Sequence, residues 1–517
     1  MKSLRLTPNY KMKKVKKILI SLYNKDYISP LIKLVEKYNI EIISTGGTQK
    51  ALEEYGVKVT SVENLTDYPA ILGGRVKTLH PKIFGGILNR SNNEKDEEDL
   101  IKLQISKIDM VVVDLYPFKE TVDSGGTHDE VIEKIDIGGV SLIRAAAKNY
   151  KNTLVVPKIT ELDSAINLIL AKNGSTEIND RLLFAKKAFN LTLSYEASIA
   201  KYFNANTELI PNTFNQHIEI GKPLRYGENP HQEGMYYGDL DKLFEQLNGK
   251  ELSYNNLLDI DSAINLMNEF KTPSFGILKH NNACGFASNN NLNTAWKQAL
   301  AGDPISAFGG VLITNKNIDV MTAKNINKLF FEILIAPSFS EEAVELLKIK
   351  KNRIILRKKN VNLERMSFRT VLNGVLCQQK DFVTDQDNVT VVSNLNVSTQ
   401  QMNDLIFASK ICKHTKSNAI VLAKNQQLLG SGCGQTSRVD ALKQAILKSK
   451  HFGFSLEGAV MASDAFFPFP DCVEIAGKQG IKAVIQPGGS KNDQLSIDYC
   501  NEHEMAMVFT GNRHFKH

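Results

Sequence analysis

Short apolar runs alternate along the first third of the chain with segments in which apolar residues recur every three or four positions. The runs Lys17–Leu22, Ile40–Ser44, Asp109–Leu115 and Thr153–Pro157 read as buried strands. The segments 28–38, 49–55, 94–107, 159–171 and 180–204 carry helical spacing, and a further helix opens after Asp136 and runs through Lys148. Strand and helix in strict alternation through residue 157 predict an open, parallel α/β sheet. A polar stretch with one proline at 205–216 predicts a linker. In the second half, Ser274–Leu278 reads as a buried strand after Pro273, and Trp296 is expected in the core of a helix ahead of Asp303. The Lys/Arg-rich and then polar stretch between about 340 and 390 reads as an internal connection. No fixed-period repeat is visible. The expected division is a basic lead-in over 1–17, then units at 18–209, 210–390 and 391–517.

Composition narrows this little. At 517 residues the chain is too long for one core. Its 42% hydrophobic and 23% charged residues are ordinary for a globular enzyme. No run approaches the roughly 18 apolar residues that span a bilayer, and the lysines of the lead-in are followed by no secretory h-region. Six cysteines are scattered with no CxxC spacing. That pattern argues against a zinc site and a disulfide framework, and suits a reducing cytoplasm. A net charge of +7 favours anionic ligands, either phosphorylated small molecules or nucleic acid. No aromatic-basic interleaving supports the second.

Several stretches carry candidate chemistry. Ser44-Thr45-Gly46-Gly47-Thr48 joins a strand to a helix, where N–H groups, hydroxyls and the helix dipole can cradle a phosphate; a plain tight turn fits equally. Gly73–Pro81 places Arg75, Lys77, Thr78 and His80 on one turn-rich segment, as a ligand loop or a solvated one. Asp136 precedes Gly138-Gly139 and reads as a helix cap. Lys148 follows three alanines that let other groups approach. Lys279-His280-Asn281-Asn282 leaves the 274–278 strand, and both side chains can serve one ligand only if the chain turns there. Further polar motifs follow at 224–232, 303–310, 332–337, 416–420, 432–438, 463–471 and 486–490.

In order and spacing, these motifs resemble the bifunctional purine-biosynthesis family that joins an inosine-monophosphate (IMP) cyclohydrolase to an aminoimidazole-carboxamide-ribonucleotide (AICAR) formyltransferase. The resemblance covers about residues 17 to 517. It implies an N-terminal methylglyoxal-synthase-like parallel-sheet domain that closes the purine ring, followed by two tandem cytidine-deaminase-like α/β subdomains. These would transfer a formyl group from 10-formyltetrahydrofolate without zinc, and the HxE…PCxxC signature of zinc deaminases is missing. The resemblance assigns His280 as proton acceptor and Lys279 as transition-state stabiliser. It assigns AICAR to Arg225, Tyr226, His280, Gly309, Glu332 and Arg513, and folate to Asn418, Arg438, Val439, Phe466, Asp471, Ser490 and Lys491. For ring closure it names Lys148 as acid/base with Tyr116, Asp136 and Lys77. The nucleotide would be held by Lys25, Thr45, Gly46, Gly47, Thr48, Arg75, Val76, Lys77, Thr78, Asp114, Asp136, Ile137 and Gly138. A cytoplasmic homodimer with formyltransferase sites at its interface is implied, with no nucleic-acid or membrane partner. The chain departs from the pattern at Tyr23-Asn24-Lys25, where Ser-Asp-Lys is usual, at Asp114 in place of Asn, and at Ala283 in place of Pro. The first two leave open an N-terminal domain that binds nucleotide without closing the ring.

Overall fold

The computed structural model describes residues 12–26, 28–205, 213–361, 363–387 and 389–517. The lead-in up to residue 11 and the linker residues 206–212 therefore lie outside the described residues. The chain divides into two compact units between Glu219 and Ile220.

Among the described residues, the first unit is built on β1 (Lys17–Ser21), β2 (Glu41–Ser44), β3 (Val59–Ser61), β4 (Met110–Val113) and β5 (Leu154–Val156). All pairings are parallel, in the order β3-β2-β1-β4-β5. Strands covered on both faces need side chains that are apolar throughout, which is why β4 reads Met-Val-Val-Val and is buried at every position. The order reverses between β1 and β4, and the carboxyl ends of two such strands flank the crevice where open α/β sheets bind ligands. Helix Ser29–Tyr38 buries Leu31, Ile32, Leu34 and Val35 and stops at Asn39, which adopts φ 50°. The helix expected from Gln49 begins at Gly46, so the glycine pair forms its first turn. The long helix Ile178–Ala205 is anchored by Arg181, 1% exposed, whose guanidinium donates to the carbonyls of Tyr150, Lys151 and Thr176.

The second unit holds a mixed sheet of twelve strands among the described residues. They are β6 (Phe244–Asn248), β7 (Ser274–Lys279), β8 (Asn282–Ser288), β9 (Val311–Thr314), β10 (Ile333–Ala336) and β11 (Ile354–Lys358). The second six are β12 (Thr390–Val391), β13 (Ile420–Lys424), β14 (Gln427–Gly432), β15 (Val460–Ser463), β16 (Ala483–Gln486) and β17 (Ala506–Phe509). The order is β6-β11-β10-β9-β7-β8-β14-β13-β15-β16-β17-β12. The two sets of six share one topology: an antiparallel hairpin, an antiparallel step to a strand, two parallel steps, and an antiparallel edge strand. They join back to back through β8 and β14. This is an internal duplication that the sequence hides, because the period survives in strand order and not in residue identity.

Helices Tyr254–Met267 and Thr399–Lys413 cover one face over a single core that runs across both copies. Leu292–Gly302 and Arg438–His451 cover the other face over separate cores. Trp296 is 1% exposed and packs edge-on against Phe275, with ring centroids 4.9 Å apart. The stretch 340–390 is not a plain connection: Ile354-Ile355-Leu356 forms the buried part of β11, an apolar triplet masked in the sequence by the basic residues on either side. Met366–Val371 and Gly374–Gln379 then form an exposed hairpin.

Candidate active sites

In the first unit, the helix Gly46–Glu54 starts where β2 ends, with Thr45 extended at its N-cap and no side-chain cap. The first N–H groups of a helix have no intrahelical acceptor, and the dipole places partial positive charge there. Two ammonium groups reach the same point. A Cβ built on Gly47 would stand 3.1 Å from Lys25 Cε and 3.5 Å from its Nζ, and one on Gly46 would stand 3.9 Å from Lys77 Nζ. Lys77 also lies over Gly74, where an added Cβ would come within 2.7 Å of its Cε. Two cations over an uncapped helix start suit a phosphate dianion.

Other members of the expected set serve the frame. Thr48 is buried, and its hydroxyl accepts the Leu22 N–H at 3.0 Å and donates to the Leu22 carbonyl at 3.1 Å. Thr45 is buried too. Val76 closes a turn by accepting the Ile71 N–H, and Arg75 pairs with Glu133. Asp114 accepts the Asn24 N–H at 3.1 Å and faces the Ile159 N–H at 3.5 Å. Its two carboxylate oxygens thus tie the loops after β1 and β5, a purely accepting role that an amide, with its single oxygen, fills only in part.

Asp136 sits at the start of helix Gly138–Lys148 and accepts the Gly139 N–H at 2.6 Å. Burial raises its carboxyl above the usual range, opposed by backbone N–H groups of Gly139 and Tyr116. Its own N–H donates to the Tyr195 hydroxyl, which in turn donates to the Lys134 carbonyl. Burial, and next the Asp136 charge, raise the Tyr116 phenol. Thr78 packs over Gly138, with its hydroxyl 3.0 Å from where a Cβ would be, and Ile137 beside it is 60% exposed. Two residues outside the expected set complete this corner. Tyr23 meets Tyr116 edge-on at 5.6 Å, and Lys134 Nζ lies 5.4 Å and 5.9 Å from the two rings. Tyr23 was visible only as a departure from the family triplet.

Lys148 does not join them. It ends the helix that Gly138 begins, ten residues and about 15 Å along the axis from the Asp136 corner. Asn149 beside it binds the carbonyls of Ile87 and Asn89, at the edge of the sheet where strands begin. A helix between parallel strands runs against them, so its two ends lie at opposite edges.

In the second unit, Lys279 and His280 leave β7 through a two-residue hairpin turn with φ 51° at His280 and 66° at Asn281. Lys279 Nζ donates to the Phe308 carbonyl at 2.8 Å. Gly309, at φ 73°, donates to the Phe330 carbonyl. Glu332 accepts from Asn256 at 3.0 Å. Arg225 is exposed with its guanidinium 5.6 Å from the Tyr226 ring, and that loop is tied to the helix Tyr254–Met267 by Asn255 donating to the Glu228 carbonyl.

The folate candidates form a second group. Arg438 donates to Asn418 Oδ1 at 2.9 Å, to Asp464 Oδ1 at 2.9 Å and to the Phe466 carbonyl at 3.1 Å, while its Nε is buried with no partner among the described residues. Val439 follows in the first turn of the same helix, and Asp471 opens the helix Asp471–Gly477. Asn492 donates to the Pro468 carbonyl and to Ser490 Oγ, joining the loop of Ser490 and Lys491 to that of Phe466. Arg513 follows β17 with its guanidinium 4.5 Å from the Phe515 ring. Its neighbour His514 is buried between Asp381 (2.6 Å) and Asp385 (3.0 Å). Burial pulls His514 down, but these two bonds outweigh it and hold it up at about 9.

Strand directions place both groups on one edge of the sheet. β7 ends and β8, β9 and β10 begin there, while β13 begins and β14, β15, β16 and β17 end there. Asn282 bridges the groups by accepting the Lys416 N–H at 3.0 Å. Among the described residues, no group of three His, Cys, Asp or Glu side chains is arranged to hold a metal ion.

Comparison with known proteins agrees with this arrangement. The family described as AICARFT/IMPCHase bienzyme matches residues 146–448, and the MGS-like domain matches residues 27–141. The chain is 54% identical to the bifunctional purine biosynthesis protein PurH of Bacteroides thetaiotaomicron, over 98% of this chain and 99% of that one. It is 46% identical to the proteins of the same name from Caldicellulosiruptor bescii (97% and 100% covered) and Aquifex aeolicus (96% and 99% covered). A match of this identity over both whole lengths, with the motifs in order on one sheet edge and one α/β crevice, shows that the chain belongs to the AICARFT/IMPCHase bienzyme family.

Proposed function

We infer that this chain catalyses the last two steps of IMP synthesis, formyl transfer to AICAR and then cyclisation of formyl-AICAR. The formyl donor we propose is 10-formyltetrahydrofolate. The AICAR amine attacks the formyl carbon, His280 accepts its proton, and Lys279 stabilises the oxyanion. The carbon–N10 bond then breaks, N10 takes a proton, and tetrahydrofolate leaves. Arg225, Tyr226, Gly309, Glu332 and Arg513 hold AICAR, while Asn418, Arg438, Val439, Phe466, Asp471, Ser490 and Lys491 face the folate. The observation that carries this reading is the shared edge, which brings an exposed Lys-His turn and an arginine-centred cluster to one side of one sheet.

For ring closure, the carboxamide nitrogen bonds to the formyl carbon and the resulting carbinolamine loses water. Lys25 and Lys77 over the Gly46 helix start supply the phosphate anchor, and Tyr116 with Asp136 supplies proton transfer; Lys148 stands outside this relay. The described helices include none long and apolar enough to cross a membrane. We propose a cytoplasmic homodimer acting on small molecules, without zinc.

The test supplies formyl-AICAR as sole substrate and follows IMP by chromatography with mass detection. IMP above the spontaneous background, together with formyl-AICAR formed from AICAR and 10-formyltetrahydrofolate, supports both activities on one chain. Background closure, with AICAR and 10-formyltetrahydrofolate still yielding formyl-AICAR, would leave a formyltransferase alone.

A further inference from the structure

The catalytic turn has a twin on the opposite edge of the same sheet. β13 leaves through Asn425 and Gln426, both at φ 53°, as β7 leaves through His280 and Asn281. Left-handed conformations in both turn positions favour Asn-Gly and strain other residues. Each turn is held by a carboxylate from the helix beneath it. Asp259 accepts the Asn281 N–H at 2.7 Å; Asp404 accepts the Asn425 and Gln426 N–H groups at 2.8 Å and 2.7 Å. Both aspartates are the sixth residue of helices that open with a serine capping box. The lysine ahead of each turn matches too, Lys279 donating to the Phe308 carbonyl and Lys424 to the Glu457 carbonyl.

What differs between the copies is the chemistry. Asn425 stands where His280 stands and cannot accept a proton. Lys482 stands where Glu332 stands, with the same main-chain bonds: Glu332 to Gly310 and Ile354, Lys482 to Ala459 and Ala506. Features kept where no transfer takes place are what the turn needs in order to form. Those present only at the active edge are what the reaction needs.

We propose that Asp259 is the positioning residue of the formyl-transfer site, acting through the Asn281 N–H to hold His280 in the left-handed turn that sets it beside Lys279. Asp404 does the same for a turn without chemistry. The proposal rests on His280 being the proton acceptor. Burial raises the Asp259 carboxyl, and the Asn281 N–H and His280 oppose the rise.

The test compares Asp259→Ala, Asp259→Asn, Asp404→Ala and His280→Ala in the full chain, with ring closure in the other unit as an internal control. A proton acceptor displaced by about 1 Å costs up to about a hundredfold in rate. Asp259→Ala is therefore expected to lower formyltransferase kcat by about tenfold or more, with KM for AICAR changed less than about threefold. Asp259→Asn, whose Oδ1 still accepts the N–H, is expected to restore most of kcat. Asp404→Ala is expected to lower the melting temperature while keeping kcat within about twofold. The proposal is overturned if Asp259→Ala keeps kcat, if Asp404→Ala loses as much kcat as Asp259→Ala, or if Asp259→Asn is as impaired as Asp259→Ala. Where Asp259→Ala does not fold, Asp259→Asn and Asp404→Ala decide alone: kcat must hold in both. An active His280→Ala would overturn the role of His280 instead, a separate result.

Discussion

Replacing Lys25 with Met removes one of the two ammonium groups over the Gly46 helix start and keeps most of the stem. Its Nζ contacts the Tyr23 carbonyl at 3.2 Å and lies 3.5 Å from a Cβ built on Gly47, so it points at the anion position from an exposed loop. A charge-assisted hydrogen bond contributes about 1.5–3 kcal/mol. The exposed setting favours the lower half of that range, since two unit charges 4 Å apart interact by only about 1 kcal/mol in water and a phosphate carries nearly two. At about 1.4 kcal/mol per decade, KM for formyl-AICAR should rise about ten- to fiftyfold. A contact made equally to substrate and transition state leaves kcat unchanged. The assay follows IMP formation against formyl-AICAR concentration at two ionic strengths, and the wild-type advantage should shrink at the higher one. Melting should be unaffected, because an exposed side chain that makes no ion pair among the described residues contributes within about 0.5 kcal/mol. A KM within twofold of wild type, or a tenfold loss of kcat at constant KM, would refute the phosphate-anchor reasoning.

Asp136→Asn keeps an acceptor for the Gly139 N–H while removing a half-buried charge. Since burial raises the folded carboxyl above its unfolded value, Asp136 costs stability as pH rises through that window, and the variant should melt higher at pH 7 while losing ring closure. His514 is held at about 9, above its unfolded value of about 6.5, so its contribution is full below about 6.5 and is lost as pH rises through about 9. Melting of the second unit should fall between pH 7 and 9.5, and His514→Gln should flatten that slope. Arg438→Met would leave Asp464, at 0% side-chain exposure, without its cation, a change worth about 3–5 kcal/mol. Calorimetry should show the second transition lowered with ring closure retained, and Asp464→Asn in the same chain should recover part of the loss.

Local pattern along the chain determined four of the five strands of the first unit and its longer helices, but not the short strand β3 or the helix Pro81–Leu88. β4 and β5 are apolar runs because both their faces are covered, and a run of that kind needs no partner to be recognised. The Lys279-His280 turn was legible only as a possibility, since the asparagines after a buried strand permit a turn, and the pairing of β7 with β8 is what makes it a hairpin. The motif order alone identified the family and both reactions. Contacts made at long range in sequence were settled only by the tertiary structure. Asp114 could look like a misplaced charge until the Asn24 and Ile159 N–H groups came to meet it. Lys148 and Asp136 share one motif in sequence, yet lie at opposite ends of one helix, because each residue adds about 1.5 Å of rise. β11 was hidden by its charged flanks, and the twin turn at Asn425 by the loss of residue identity between the copies. Hydrophobic periodicity reports which face of an element is covered and is silent about what covers it, so pairing, register and the meeting of distant side chains are decided only when the chain closes on itself.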